Sequence, residues 1–341
     1  MASTDDVVAN EAELPEAGWL TSLLGLPAMG PRRLAALLDG RSPAEAWVVV
    51  CSGRPLPEVA AVVGGRVAAL ATEWAEAARA IQPEAVWSAT RAAGVEVVAY
   101  GDASYPRCLL DDPEPAPVLF AVGRLEAVAV PSRVAIVGTR RCTRYGRDVA
   151  TELGGSLAEA GVAVVSGLAL GIDGAAHAGA LAAGGASPIG VVATGLDIVY
   201  PVANRRLWDR VAEAGVLFSE APLGTGPRGW RFPARNRIIA GLADVVVVVE
   251  SHASGGSLYT VEAALERDRP VLAVPGPIHS PASRGTNHLL AEGCVPLCGI
   301  DDVLTALGLV GSTPAPADRR PSPGEPDLGV LQAAGWSPTT L

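Results

Sequence analysis

Residues 243–262 read Ala-Asp-Val-Val-Val-Val-Val-Glu-Ser-His-Ala-Ser-Gly-Gly-Ser-Leu-Tyr-Thr-Val-Glu, and this stretch decides the fold. The five valines at 245–249 show no polar alternation. β-Branched side chains favour extended backbone, and an unalternated run marks a strand covered on both faces. Outward from it, apolar runs of strand length recur at 134–137, 162–165, 189–193, 216–218 and 271–274. Most are followed by a turn containing Gly or Ser and then by a helical stretch. Strand–helix alternation from residue 133 onward predicts an α/β fold, a Rossmann-like, doubly wound and mostly parallel sheet of six or more strands.

The flanks read differently. Residues 1–16 form an acidic tail, expected to be disordered. Residues 17–92 carry apolar residues at helical spacing, including Leu23, Leu24, Leu34, Leu37 and Leu38, and form a small helical domain. The turn Gly25–Pro31 between its first two helices gives either a helix-hairpin-helix, a unit often seen near DNA, or a plain helical cap. Residues 93–310 form the sheet domain. Its first part, 93–130, is an extended connector with short strands at 95–100 and 118–122 and the Pro-rich run Asp112-Pro113-Glu114-Pro115-Ala116-Pro117. Residues 311–341 read as a Pro-rich linker and a short tail, too short for a domain with its own core.

Composition narrows the function classes. The chain has 341 residues, is 49% hydrophobic and has a net charge of −10. Every one of its 26 basic residues is Arg, so any anion site must use guanidinium forks. Residues 131–300 hold 15 Arg against 14 acids, leaving 11 Arg against 22 acids elsewhere. The acid is therefore on the flanks, and local basic clusters in the middle can bind phosphates. No apolar run reaches the length of a membrane span, and the acidic N-terminus has no signal-peptide pattern; a cytoplasmic protein is expected. The odd set Cys51, Cys108, Cys142, Cys294 and Cys298 fits no disulfide framework or zinc site, so buried or idle thiols and no metal are expected. His252, His279 and His288 share no ligand spacing and read as surface or structural.

In an open parallel sheet, ligands bind beyond the carboxyl ends of the strands. After the first parallel strand comes Gly138-Thr139-Arg140-Arg141, feeding a helix whose N-terminus suits a phosphate; the plainer reading is a tight turn with surface Arg. It is not a G-x-G-x-x-G loop, and no P-loop motif occurs, so no nucleotide cofactor is expected. After the second strand, Ser166-Gly167 permits close backbone approach. Asp173 is expected to cap the next helix, with His177 four residues on; a catalytic Asp–His pair is weighed against a structural hydrogen bond. After the third, Tyr200-Pro201 leads to Asn204 and Arg205. Then comes Arg228-Gly229-Trp230-Arg231-Phe232-Pro233-Ala234-Arg235-Asn236-Arg237, four Arg and two aromatics in ten residues. Guanidiniums interleaved with aromatic rings can grip phosphates and stack on bases, the recipe for single-strand binding. Alternatively the rings anchor a loop and some Arg pair with Glu220 or Asp197. Gly255-Gly256-Ser257 before a helix makes a second candidate anion cradle.

Together these motifs resemble the DNA-processing protein A family (DprA, also called Smf). The resemblance rests on Gly138-Thr139-Arg140, Ser166-Gly167-x-Ala169-x-Gly171-Ile172-Asp173, Tyr200-Pro201-x-x-Asn204, Phe232-Pro233-x-Arg235-Asn236-Arg237-Ile238-Ile239-Ala240-Gly241-Leu242 and Ser254-Gly255-x-Ser257-Leu258-x-Thr260. It covers roughly residues 95–305. The N-terminal helices are similar, more weakly, to that family's sterile-alpha-motif-like domain. The resemblance implies a non-enzymatic homodimer that binds single-stranded DNA, protects incoming strands in natural transformation and helps load the RecA recombinase. It implies that the Gly138-Thr139-Arg140 turn lies in the DNA pocket, with Arg140 the first choice for a phosphate and Gly138, Thr139, Ser166 and Gly167 supplying nearby contacts. The residues themselves add Arg141, Asn204, Arg205, Arg231, Phe232, Arg235, Asn236, Arg237, Gly255, Gly256 and Ser257 as candidate DNA contacts. Two departures stand out: Val202 replaces the basic residue many members carry after Tyr-Pro, and no complete winged-helix domain follows.

Two other readings compete. Gly255-Gly256-Ser257-Leu258-Tyr259-Thr260-Val261-Glu262 is similar to the loop of nucleoside-monophosphate phosphoribohydrolases, with Glu262 as acid/base, although Ser257-Leu258 breaks that pattern. A scaffold that binds only protein is the third.

Overall fold

The structure, a computed structural model, describes residues 14–309. The expected linker and tail, and nearly all of the expected acidic tail, lie outside the described residues. Six helices come first: α1 (Glu16–Leu24), α2 (Pro31–Leu38), α3 (Pro43–Ser52), α4 (Pro57–Val63), α5 (Val67–Ala78) and α6 (Pro83–Ala92). Four of them, α2, α3, α4 and α6, begin at a proline, where the missing N–H costs nothing. A full capping box, Ser42 with Glu45, starts α3. α1 rests chiefly on α3 and α6, and α2 on α4. Trp74 donates its indole N–H to the Pro27 carbonyl at 2.8 Å, tying the intervening turn to α5.

Then follow β1 (Glu96–Ala99), β2 (Val118–Gly123), β3 (Arg133–Val137), α7 (Arg144–Glu159), β4 (Ala163–Ser166), α8 (Ile172–Ala183), β5 (Ile189–Val192), α9 (Arg205–Ala214), β6 (Val216–Ser219), α10 (Arg231–Leu242), β7 (Val245–Val248), α11 (Leu258–Leu265), β8 (Val271–Ala273), α12 (Arg284–Ala291), β9 (Val295–Pro296) and α13 (Ile300–Ala306). All six apolar runs are strands. One nine-stranded sheet has the order β1-β2-β6-β5-β4-β3-β7-β8-β9. Seven strands, β6 to β9 in that order, run parallel; β1 and β2 extend the sheet antiparallel to β6. The short strands of the connector thus belong to the main sheet.

The strands alternate between two cores. Ala135, Val137, Val165, Val246 and Val248 face α10, α11 and the connector. Val134, Ile136, Val164, Val245 and Val247 face α7, α8 and α13. Further along that second face, Phe120, Val192 and Leu217 share one core with Leu23, Leu34 and Trp74, so the N-terminal helices cover the sheet itself. The α7–α8 pair packs closely because a Cβ at Gly154 or Gly179 would collide with a carbonyl of the facing helix.

The chain winds outward from β3 through β4 and β5 to β6, then returns to place β7 on the other side of β3. That reversal is the topological switch point, where a crevice opens beyond the strand ends.

The connector is pinned. Asp112 takes a two-pronged bond from Arg267, at 2.7 and 2.8 Å, with both side chains at most 4% exposed. Tyr105 donates to the Ala116 carbonyl at 2.9 Å. Removing one partner of a buried pair strands the other charge, so Asp112→Ala is expected to cost ~3–5 kcal/mol and to lower Tm on the order of 10 °C. A calorimetric melt checks this; the double variant Asp112→Leu/Arg267→Met is expected to recover most of the loss.

Candidate nucleic-acid interface

The crevice at the switch point is an open cleft of about 640 Å³. One side is the Gly138–Arg140 turn that leaves β3. The other is the loop from His252 to Thr260 that leaves β7. The first two turns of α10 supply Phe232, Pro233, Arg235 and Asn236, and Tyr200 stands beside them.

The turn after β3 is locked from three directions. The Thr139 N–H donates to the Glu250 carbonyl at 2.8 Å, and the Thr139 carbonyl accepts from Ile172 N at 3.3 Å. A Cβ at Gly138 would press on Ile172 and the Glu250 carbonyl. Gly171 has φ +80° and passes too close to the Thr139 carbonyl for any side chain. Finally, the Glu250 carboxylate accepts from the Thr143 N–H at 2.8 Å and the Thr143 hydroxyl at 2.6 Å.

This locking leaves the Arg140 side chain exposed at the cleft mouth. Its guanidinium carbon lies 4.7 Å from the centre of the Phe232 ring. The Tyr200 ring is 5.5 Å from Phe232 and tilted 47° to it. A guanidinium, a half-buried phenyl and an exposed phenol thus form one continuous stack. A cation over an aromatic face is attracted to the ring's quadrupole yet keeps its edge N–H groups for an anion.

Of the residues expected at the interface, the cleft gathers Gly138, Thr139, Arg140, Phe232, Arg235, Asn236, Gly255, Gly256 and Ser257. Arg141, Ser166, Gly167, Asn204, Arg205, Arg231 and Arg237 do not line it. Several of these groups are used internally. The Ser166 hydroxyl donates to the Ile136 carbonyl at 2.7 Å. Gly167 N donates to Asp173 at 3.2 Å. Asn204 donates its amide to the carbonyls of Leu168 and Ala169, bracing the β4–α8 loop. The Ser257 hydroxyl donates to Ser251 at 2.9 Å. Asn236 reaches across to the Gly256 carbonyl at 3.2 Å.

The Arg-rich stretch divides. Arg235, expected as a DNA contact, is 7% exposed and buried below the cleft floor. It donates to the carbonyls of Gly167 and Val191, and Gly167 has no room for a Cβ beside it. Burial pushes its guanidinium down to about 10, against the pull of Asp173, so it remains charged at neutral pH. Arg237 pairs with Glu220, whose carboxyl burial pushes up and Arg237 pulls back down. The pairing with Glu220 weighed from the sequence is therefore found, and it belongs to Arg237. Arg231 stacks on the exposed Trp230 at 4.6 Å; burial and then Arg228 lower its pKa.

Asp173 is not the cap of α8; that position is Gly171. The carboxylate lies in the first turn and reaches back to Gly167, with burial raising its pKa and Arg235 opposing. His177 bonds the Ile189 carbonyl at 3.2 Å, so the two do not make a pair with each other. Burial lowers the imidazole to about 4. Sequence reasoning missed Tyr200 as a stacking partner, Tyr259 on the rim and the locking role of Glu250. The signal for Glu250 is a lone carboxylate at the end of the most apolar strand.

An open Rossmann-type α/β sheet with a polar, aromatic-lined cleft at its switch point is the class that fold and site define. A family model described as DNA recombination-mediator protein A matches residues 96–308, and the chain belongs to that family. The DNA processing protein DprA of Bacillus subtilis is 39% identical over 222 residues, 65% of this chain and 74% of that one. The putative DprA of Mycobacterium tuberculosis is 45% identical over 219 residues, 64% of this chain and only 55% of that one. The X-ray structure of Streptococcus pneumoniae DprA superposes with a TM-score of 0.71 at 32% identity, covering 86% of this chain and 98% of that one. The Helicobacter pylori protein, whose solved structure concerns its single-stranded DNA binding mode, gives 0.57 at 29% identity over 62% and 95%.

Two outcomes follow from the buried groups. Arg235→Ala strands two carbonyls and the Asp173 carboxylate, and is expected to cost roughly 3 kcal/mol. A circular dichroism melt should therefore drop by several degrees, and Arg235→Lys, which has no fork, should not restore it. His177 has a folded pKa of about 4 against 6.5 unfolded, so the unfolded state binds the extra proton between those values. Its share of stability is full above pH 6.5 and is lost as pH falls toward 4, about 3 kcal/mol in all. Melts across that window should fall more steeply for the wild type than for His177→Gln.

Proposed function

We propose that this chain binds single-stranded DNA in the switch-point cleft and acts as a recombination mediator, protecting incoming strands and helping to load RecA during natural transformation. The observation that carries it is the Tyr200–Phe232–Arg140 stack at the cleft mouth. Bases stack on aromatic faces without regard to sequence, and a guanidinium beside them takes the backbone phosphate. The single-stranded DNA binding mode studied in the Helicobacter relative supports the same ligand here. RecA and a second copy of this chain as partners, and residence in the cytoplasm, are part of this reading; the description of the family as a recombination mediator supports the first. No single described helix is long and apolar enough to cross a membrane.

A non-enzymatic role is part of this reading. Among the described residues the one carboxylate lining the cleft, Asp173, is buried and engaged. Glu262, the acid/base of the phosphoribohydrolase alternative, is exposed on α11 and does not line the cleft. Among the described residues no group of three or more His, Cys, Asp or Glu is placed to hold a metal.

Fluorescence anisotropy with labelled poly-dT, at two salt concentrations and with duplex competitor, tests the reading. Salt-sensitive binding that duplex does not displace is expected. Arg140→Ala should weaken binding for every sequence and flatten the log K against log salt slope by roughly 0.7, the value of one single-strand phosphate contact. An unchanged affinity and slope would remove Arg140 from the interface.

A further inference from the structure

Glu250 sits where an open α/β sheet ordinarily receives the phosphate of its ligand. It lies two residues beyond the end of β7, the strand beside β3, and is 1% exposed. Its carboxylate holds Thr143, the N-cap of the sixteen-residue α7, through both backbone N–H and hydroxyl. Gly146, in the first turn of α7, lies flush against that carboxylate, and a Cβ there would collide with its carbon and oxygen. Among the described residues no Arg or His forms an ion pair with Glu250. Its charge is thus held by an N–H, a hydroxyl and the positive end of α7. In dinucleotide-binding sheets the N-terminus of the helix at the corresponding place receives a pyrophosphate.

We propose that Glu250 is a built-in anion: it occupies the phosphate position of α7, positions the Gly138–Arg140 turn for a DNA strand, and keeps free mono- and dinucleotides out. The proposal rests on the single-stranded DNA reading above. Glu250 grips both ends of the turn, Thr139 through its carbonyl and Thr143 through its carboxylate, and Arg140 lies between them. A nucleotide phosphate aimed at α7 meets a buried like charge in the volume it needs. A strand crossing the cleft mouth does not enter that volume, and its phosphates find Arg140 instead. Glu250 is therefore a positioning and specificity-determining residue that does not itself touch the DNA.

The test uses the full chain and the variants Glu250→Ala and Glu250→Gln, with two readouts. One is Tm in millimolar inorganic phosphate against chloride of equal ionic strength. The other is poly-dT anisotropy. Gln keeps an oxygen for the Thr143 N–H and an amide for its hydroxyl, so E250Q is expected to bind poly-dT within about threefold of wild type, whereas E250A loses roughly tenfold. Phosphate should raise the Tm of E250A, or recover it if it does not fold in chloride, and should leave wild type unmoved. A merely structural carboxylate would lower Tm without phosphate-specific recovery. The proposal is overturned if E250A binds DNA like wild type, if phosphate stabilises wild type equally, if E250A stays unfolded in both buffers, or if folded E250Q loses tenfold in DNA affinity. Should wild type fail to bind poly-dT at all, the functional reading falls, while the phosphate comparison still judges Glu250.

Discussion

The guanidinium of Arg235 under the cleft floor is the contact on which the site depends. It joins α10 to the Gly167 carbonyl beyond β4 and the Val191 carbonyl on β5. Those bonds fix the rotation of α10 about its own axis. With Arg235 turned inward, Phe232 one turn earlier faces the cleft, Asn236 reaches the Gly256 carbonyl and Arg237 meets Glu220. A helix in that place with an apolar residue at 235 could slide; two directed bonds from a planar fork cannot be kept through a slide. The cost is a buried charge, offset by two carbonyls and the neighbouring Asp173.

A consequence is that cations are spent inside the protein. The ten-residue stretch holding four Arg contributes no free guanidinium to the cleft. Arg235 is buried in its floor, Arg237 is paired, Arg231 stacks on Trp230, and Arg228 does not line the cleft. Among the described residues the one exposed cation there is Arg140, from a different strand end. A chain with a net charge of −10 can therefore present a positive point only because the surrounding anions are turned away or used: Asp173 is buried and Glu250 is taken up by α7. Binding at such a point is local, and the flanks' acidity affects it only through a screened, long-range field.

The parallel sheet was legible because fully buried strands must be continuously apolar, and each of the six runs did become a strand. The edge strand β9 was not legible, being two residues long with both exposed. The place of β1 and β2 was hidden for another reason: strand pairing is a matter of partners, and nothing in residues 96–99 or 118–123 names β6. At the site, the turn after β3 and the aromatic Phe232 could be read from glycine and ring chemistry. Arg235 and Arg237 could not be assigned to the interior, since an arginine near other arginines has the same local sequence whether it faces a phosphate or a carbonyl. What distinguishes them lies elsewhere, in Gly167, which leaves room for the fork, and in Glu220, which waits for the other.

The N-terminal helices bear on the cleft without lining it. They share one core with Val192 and Leu217, on the strands whose far ends lead to the cleft. Met29, Gly30 and Pro31 face Trp230, Arg231 and Ala234, at the start of α10, across a small pocket. A gap forfeits the contacts through which packed elements transmit displacement. The start of α10 is therefore held from the cleft side by the Phe232 ring contacts and from below by Arg235, and the geometry of the cleft mouth is set by the sheet beneath it.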